Sequence, residues 1–92
     1  MTIMQTNYYC ICCGYDSMTD EPGFYGICPI CFWEDDPIQR ENPDKDDGAN
    51  VVSLRQAQIN FESFGACEED MIKYVVKPNK THKRNPLWKI ID

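Results

Sequence analysis

The sequence predicts a small α+β fold, a β-hairpin lobe followed by two or three short helices. Three observations predict it. Two Cys-x-x-Cys pairs, Cys10 with Cys13 and Cys28 with Cys31, are separated by fourteen residues. A Pro-Gly turn signal, Pro22-Gly23, lies between them. Downstream, a capped stretch from Ser53 to Gly65 repeats apolar residues at helical spacing. At 92 residues the chain makes one domain. Within it, residues 1–50 form a cysteine-rich metal-binding lobe and residues 51–92 a helical C-terminal part. So short a chain buries a small fraction of its surface, and folds of this size often need a staple.

In chain order, residues 3–9 read as a short strand entering the first cysteine pair. Gly14 follows Cys13, where glycine accepts a positive φ and lets backbone amides turn onto sulfur. Residues 15–18 and 24–27 read as two strands joined by Asp20-Glu21-Pro22-Gly23, in which proline presets one turn position and glycine suits the next. The result is a hairpin with a cysteine knuckle at each end, the layout of a zinc ribbon. Residues 34–50 hold Pro37, Pro43 and Gly48 and read as a loop wrapping the lobe. Ser53 with Gln56 makes a capping box, and Leu54, Ala57, Phe61 and Phe64 line one helical face that Gly65 ends. Residues 67–76 predict a shorter helix, with Glu68, Glu69 and Asp70 in its first turn and Met71, Tyr74 and Val75 facing inward. Pro78 stops it. Residues 86–91 close the chain as a strand or one helical turn that docks Trp88.

The cysteine spacing carries the chemistry. A Cys-x-x-Cys turn presents two sulfurs on one side of a tight knuckle, so two such turns supply the four tetrahedral ligands that Zn2+ takes. The expected ligands are Cys10, Cys13, Cys28 and Cys31. Four protein ligands close the site and leave no position for an activated water. Iron competes, because tetrahedral sulfur sites accept either metal. Both pairs are similar to rubredoxin knuckles, which usually carry glycine after each pair. Phe32 stands where the second glycine would be and argues for zinc. Cys12 reads as a bystander thiol, and Cys67 as a buried small residue or N-cap.

Net charge is −6 and unevenly placed. Residues 1–50 carry ten acids against Arg40 and Lys45, a net of −8, whereas residues 51–92 carry seven Lys or Arg against five acids, a net of +2. An acidic half repels nucleic-acid phosphates and suits a basic protein partner. The basic segment 77–84 lacks the interleaved aromatics of a nucleic-acid binder. The N-terminus has neither a basic nor an apolar signal region, and no run is long enough to span a membrane. Six cysteines in a reducing, cytoplasmic setting read as metal ligands before disulfides. In that setting the Asn79-Lys80-Thr81 sequon carries no weight.

Other chemistry is poorly supported. Glu34-Asp35-Asp36 reads as a solvated acidic face or a helix N-terminus rather than a general acid–base pair. Asp44, Asp46, Asp47 and Asn50 fail the register of a calcium loop, which would place Pro43 and Lys45 at ligand positions. His82 has no partner in sequence and reads as exposed; no catalytic residues are expected.

Several motifs resemble the bacterial cysteine-rich CPCC family. They are Cys10, Cys12, Cys13, Gly14 and Tyr15; the run from Ile27 to Asp36; Gly48, Ala49, Asn50, Val52, Ser53 and Leu54; and Phe64, Gly65 and Ala66. Ile11 departs from the proline of the family's first motif, and Ile30 stands for the valine of the second. The resemblance covers about residues 8–76. It implies a zinc-ribbon-like fold with appended helices and no assigned activity, and it hints at a toxin-immunity-type partner. The functional expectation is therefore a small, non-catalytic, zinc-binding protein-interaction module. The alternative is a rubredoxin-like iron protein or a thiol redox protein.

Overall fold

The computed structural model describes residues 7–92. Most of the expected strand over residues 3–9 lies outside them; its end, Tyr8, pairs with Met18. That pairing corrects the hairpin. Met18 bonds back to Tyr8 on its own side of the Pro-Gly turn, at 2.7 and 3.1 Å, and Ile27 pairs forward with Glu34. Each cysteine knuckle thus sits at the tip of its own short loop. Among the described residues there are only three isolated antiparallel bridges, the third joining Tyr15 to Arg84. The turn itself forms as expected. Gly23 takes φ +85° and the Phe24 amide donates to the Glu21 carbonyl.

Two α-helices and one 3₁₀ helix follow. Helix α1, Pro37–Glu41, occupies part of the expected loop. Asp36 caps it, accepting from the Ile38 and Gln39 amides, and Pro37 supplies a preset φ in the first turn. Helix α2 is Leu54–Phe64, capped by Ser53 and ended by Gly65 at φ +83°. Only half of the capping box forms, because the Gln56 side chain bonds Asn60. Leu54 and Ala57 face inward as expected; Phe61 is half-buried, while Phe64 is exposed and Gln58 is buried instead. The second predicted helix is a 3₁₀ helix, Glu69–Tyr74, whose Tyr74 is exposed and stacked on Phe32 at 5.4 Å.

The core sits between the knuckles and α2. Trp33, Ile30 and Leu54 are fully buried alongside the cysteines. The Trp33 indole N–H has no acceptor among the described residues, a loss of about 1–3 kcal/mol against a bonded one. A buried amide pair holds the chain around α1. Gln39 Nε2 donates to the carbonyls of Lys45, Asn50 and Val52, each at 3.1 Å. Its Oε1 accepts from the Asn50 amide and side chain, and Asn50 in turn pairs with the Glu34 backbone.

Candidate metal centre

Both knuckles share one backbone pattern. The Cys10 amide donates to Tyr15 and the Gly14 amide to Cys10; the Cys28 amide donates to Trp33 and the Phe32 amide to Cys28. That geometry demands a left-handed residue after the second cysteine. Gly14 meets it at φ +82°, and Phe32 meets it at φ +69° despite its side chain. A bulky residue there stores about 1–3 kcal/mol of strain. Phe32 thus takes the backbone that glycine takes in the first knuckle, so its side chain no longer argues between zinc and iron.

The four expected ligands converge. The sulfurs of Cys10, Cys13, Cys28 and Cys31 all lie within 4.8 Å of one another, and all four residues are buried. Cys10 Sγ is 3.6 Å from Cys31 Sγ, and Cys13 Sγ is 3.7 Å from Cys28 Sγ. A tetrahedron with metal–sulfur bonds of 2.3 Å has edges of about 3.8 Å. The spacing and donor set therefore fit a four-coordinate metal ion. Cys12 and Cys67 are buried but fall outside this cluster.

Electrostatics shows why a cation suits the cluster. Hydrogen bonds from Cys10, then Cys13 and Cys31, pull the Cys28 thiol far below its ordinary value, helped by the Ser17 hydroxyl at 2.9 Å. The Ile30 and Cys31 amides also donate to Cys28 Sγ, at 3.3 and 3.4 Å. Burial pushes Cys10 and Cys31 well above their ordinary range. One sulfur thus gathers negative charge while its neighbours resist it. A divalent cation reverses that resistance, because a coordinated thiol deprotonates outright. Outside the cluster, burial pushes the Cys67 thiol up to about 12, which keeps it protonated.

The knuckles are held by residues from later in the chain, from α2 onward. Three successive carbonyls of the first knuckle each accept a side chain. Gln58 Nε2 donates to Ile11 at 2.9 Å, Trp88 Nε1 to Cys12 at 3.1 Å, and Arg84 Nε to Cys13 at 2.9 Å. The next carbonyl, Gly14, accepts the Asn85 amide. Arg84 also lies 4.0 Å from the Trp88 ring and bonds Glu62. Trp88 packs so close to Gly14 that a Cβ there would fall 2.6 Å from its ring. In the second knuckle, the Cys31 carbonyl accepts the Cys67 amide and the Pro29 carbonyl accepts the Val76 amide.

The remaining candidates have structural roles. Asp35 is buried in a two-point pair with Arg40, at 3.0 and 3.1 Å, and also accepts the Gly23 amide. Asp36 caps α1 and accepts the Ala49 amide, which leads the backbone bonds that hold its carboxyl below the ordinary range. These two acids are therefore not a solvated face, and the helix-N-terminus reading holds for Asp36. His82 is half-buried rather than exposed: it accepts the Asn79 amide and packs edge-on against Tyr15. Sequence reasoning missed Gln39, Gln58 and Arg84, which hydropathy assigns to the surface. No helix among the described residues is long and apolar enough to cross a membrane.

A family model described as cysteine-rich CPCC matches residues 8–82. A comparison with the curated proteins finds none similar enough to count as a relative.

Proposed function

Since this chain belongs to the cysteine-rich CPCC family, we propose that it is a small, non-catalytic zinc-binding module that acts by contacting a basic protein. Cys10, Cys13, Cys28 and Cys31 are the proposed ligands, and the converging buried sulfurs carry the reading. Four protein ligands leave no coordination position for substrate or water. Asp35 and Asp36 are occupied in structural bonds, which removes the obvious acid–base pair. The contact surface is then the remaining acid of the first half: Asp20, Glu21, Glu41, Asp44, Asp46 and Asp47 are exposed. A basic toxin held by an immunity-type partner fits that charge, in a cytoplasmic setting where thiols stay reduced.

Two measurements test this. Elemental analysis should give one zinc per chain and a colourless protein. Pull-down of a partner should weaken steeply between low and high salt, since exposed charges are screened over about 10 Å at 0.1 M. Binding indifferent to ionic strength refutes the acidic contact. The second reading is a rubredoxin-like iron protein, since a tetrahedral four-sulfur donor set accepts iron as well as zinc. Charge-transfer colour with one iron per chain establishes it in place of zinc.

A further inference from the structure

The most informative unassigned feature is a cleft of about 110 Å³ beside the second knuckle. Ile27, Phe32, Val51 and Met71 form apolar walls, and Glu34 and Glu68 also line it. Drug-sized ligands take about 300–1,000 Å³, so this cleft is sized for a single side chain. Its walls stay uncovered: Ile27 is 49% and Val51 73% exposed. Both glutamates are half-buried, and among the described residues neither carboxylate has a hydrogen bond or an ion pair. The cation Lys73 rests on the Tyr74 ring instead, at 5.3 Å.

Apolar walls with two carboxylates that have no protein partner select a particular side chain. A purely apolar residue would leave the carboxylates partly desolvated and unpaired, and an acidic one would be repelled. A lysine or arginine satisfies both parts, its alkyl stem against the walls and its charged head between the acids. Half of the cleft's lining comes from residues 1–50, which carry a net of −8 and draw the same sign of partner.

We infer that this cleft receives one lysine or arginine side chain of a basic protein partner. The inference rests on the interaction reading above and names its anchoring point. Phe32 sets one wall, so the strained knuckle residue joins the metal site to the docking surface.

The test uses the metal-loaded protein and three capped tripeptides, Leu-Lys-Leu, Leu-Gln-Leu and Leu-Glu-Leu, followed by amide NMR shifts. The lysine peptide should bind roughly tenfold tighter than the glutamine one. Its shifts should centre on Ile27, Phe32, Val51 and Met71. The double variant E34Q/E68Q should keep its metal content and lose that preference. Equal binding of the lysine and glutamine peptides overturns the inference, as does no binding at millimolar concentration. Salt-sensitive binding with shifts centred on Asp44 and Asp46 overturns the cleft but leaves the acidic-surface reading standing. Self-association that fills the cleft with a second copy overturns the partner assigned here.

Discussion

Arg84→Ala offers the most direct test of how the metal site is held. The side chain donates to the Cys13 carbonyl at 2.9 Å, lies 4.0 Å from the Trp88 ring and pairs with Glu62 at 2.8 Å. A charged hydrogen bond of the first kind contributes about 1.5–3 kcal/mol, and the cation–π contact about 0.5–2 kcal/mol. The Glu62 pair is partly exposed and adds less than about 1 kcal/mol. These contributions overlap, so the loss is about 2–3 kcal/mol in all. If the clamp must open before metal leaves, release to a chromogenic chelator should accelerate roughly 30- to 150-fold. Glu62→Gln removes only the surface pair and should change the rate by less than about fivefold. Release from Arg84→Ala within twofold of the parent refutes the clamp. Glu62→Gln releasing as fast as Arg84→Ala assigns the effect to the surface pair instead.

Three further outcomes follow from the same geometry. Serine at Cys10, Cys13, Cys28 or Cys31 should each abolish stoichiometric metal, whereas Cys12→Ser and Cys67→Ala should retain it, as read by elemental analysis. The Asp36 carboxyl should titrate below the ordinary midpoint of about 3.9 when followed by its carbon chemical shift. Its folded pKa is depressed, so the stability it adds is present above that midpoint and lost as pH falls through the folded value. Gly14→Ala forces a side chain onto a positive φ and into the Trp88 ring; it should cost at least about 1 kcal/mol in denaturant and red-shift Trp88 emission. Unchanged emission would mean that Trp88 does not sit on the knuckle.

The legible parts of this fold were local. The four cysteines, the Pro22-Gly23 turn and the Ser53 and Gly65 caps are short-range patterns, and each forms where its spacing implies. Helix α1 was also written locally, as Asp36 before Pro37, but the prolines around it read as breakers. The hairpin did not form because a turn signal does not specify which strands pair across it: Met18 pairs with Tyr8 and Ile27 with Glu34. The supports of the site were illegible for a different reason. Gln58 reaches Ile11 across 47 positions and Trp88 reaches Cys12 across 76. Gln39 and Gln58 are polar by hydropathy, yet both are buried because they satisfy backbone groups that the tight loops leave unpaired.

Chain order is also time order during synthesis. All four clustered cysteines precede residue 32, while the Arg84 and Trp88 donors to the first knuckle come at the far end of the chain. At about 5–20 residues per second, roughly 3–12 s pass between them on the ribosome. During that interval the clustered sulfurs precede the residues that brace them, so a metal ion could enter before the Arg84 and Trp88 bonds form. If exchange then required those bonds to open, the ion held would reflect supply at synthesis more than affinity afterwards.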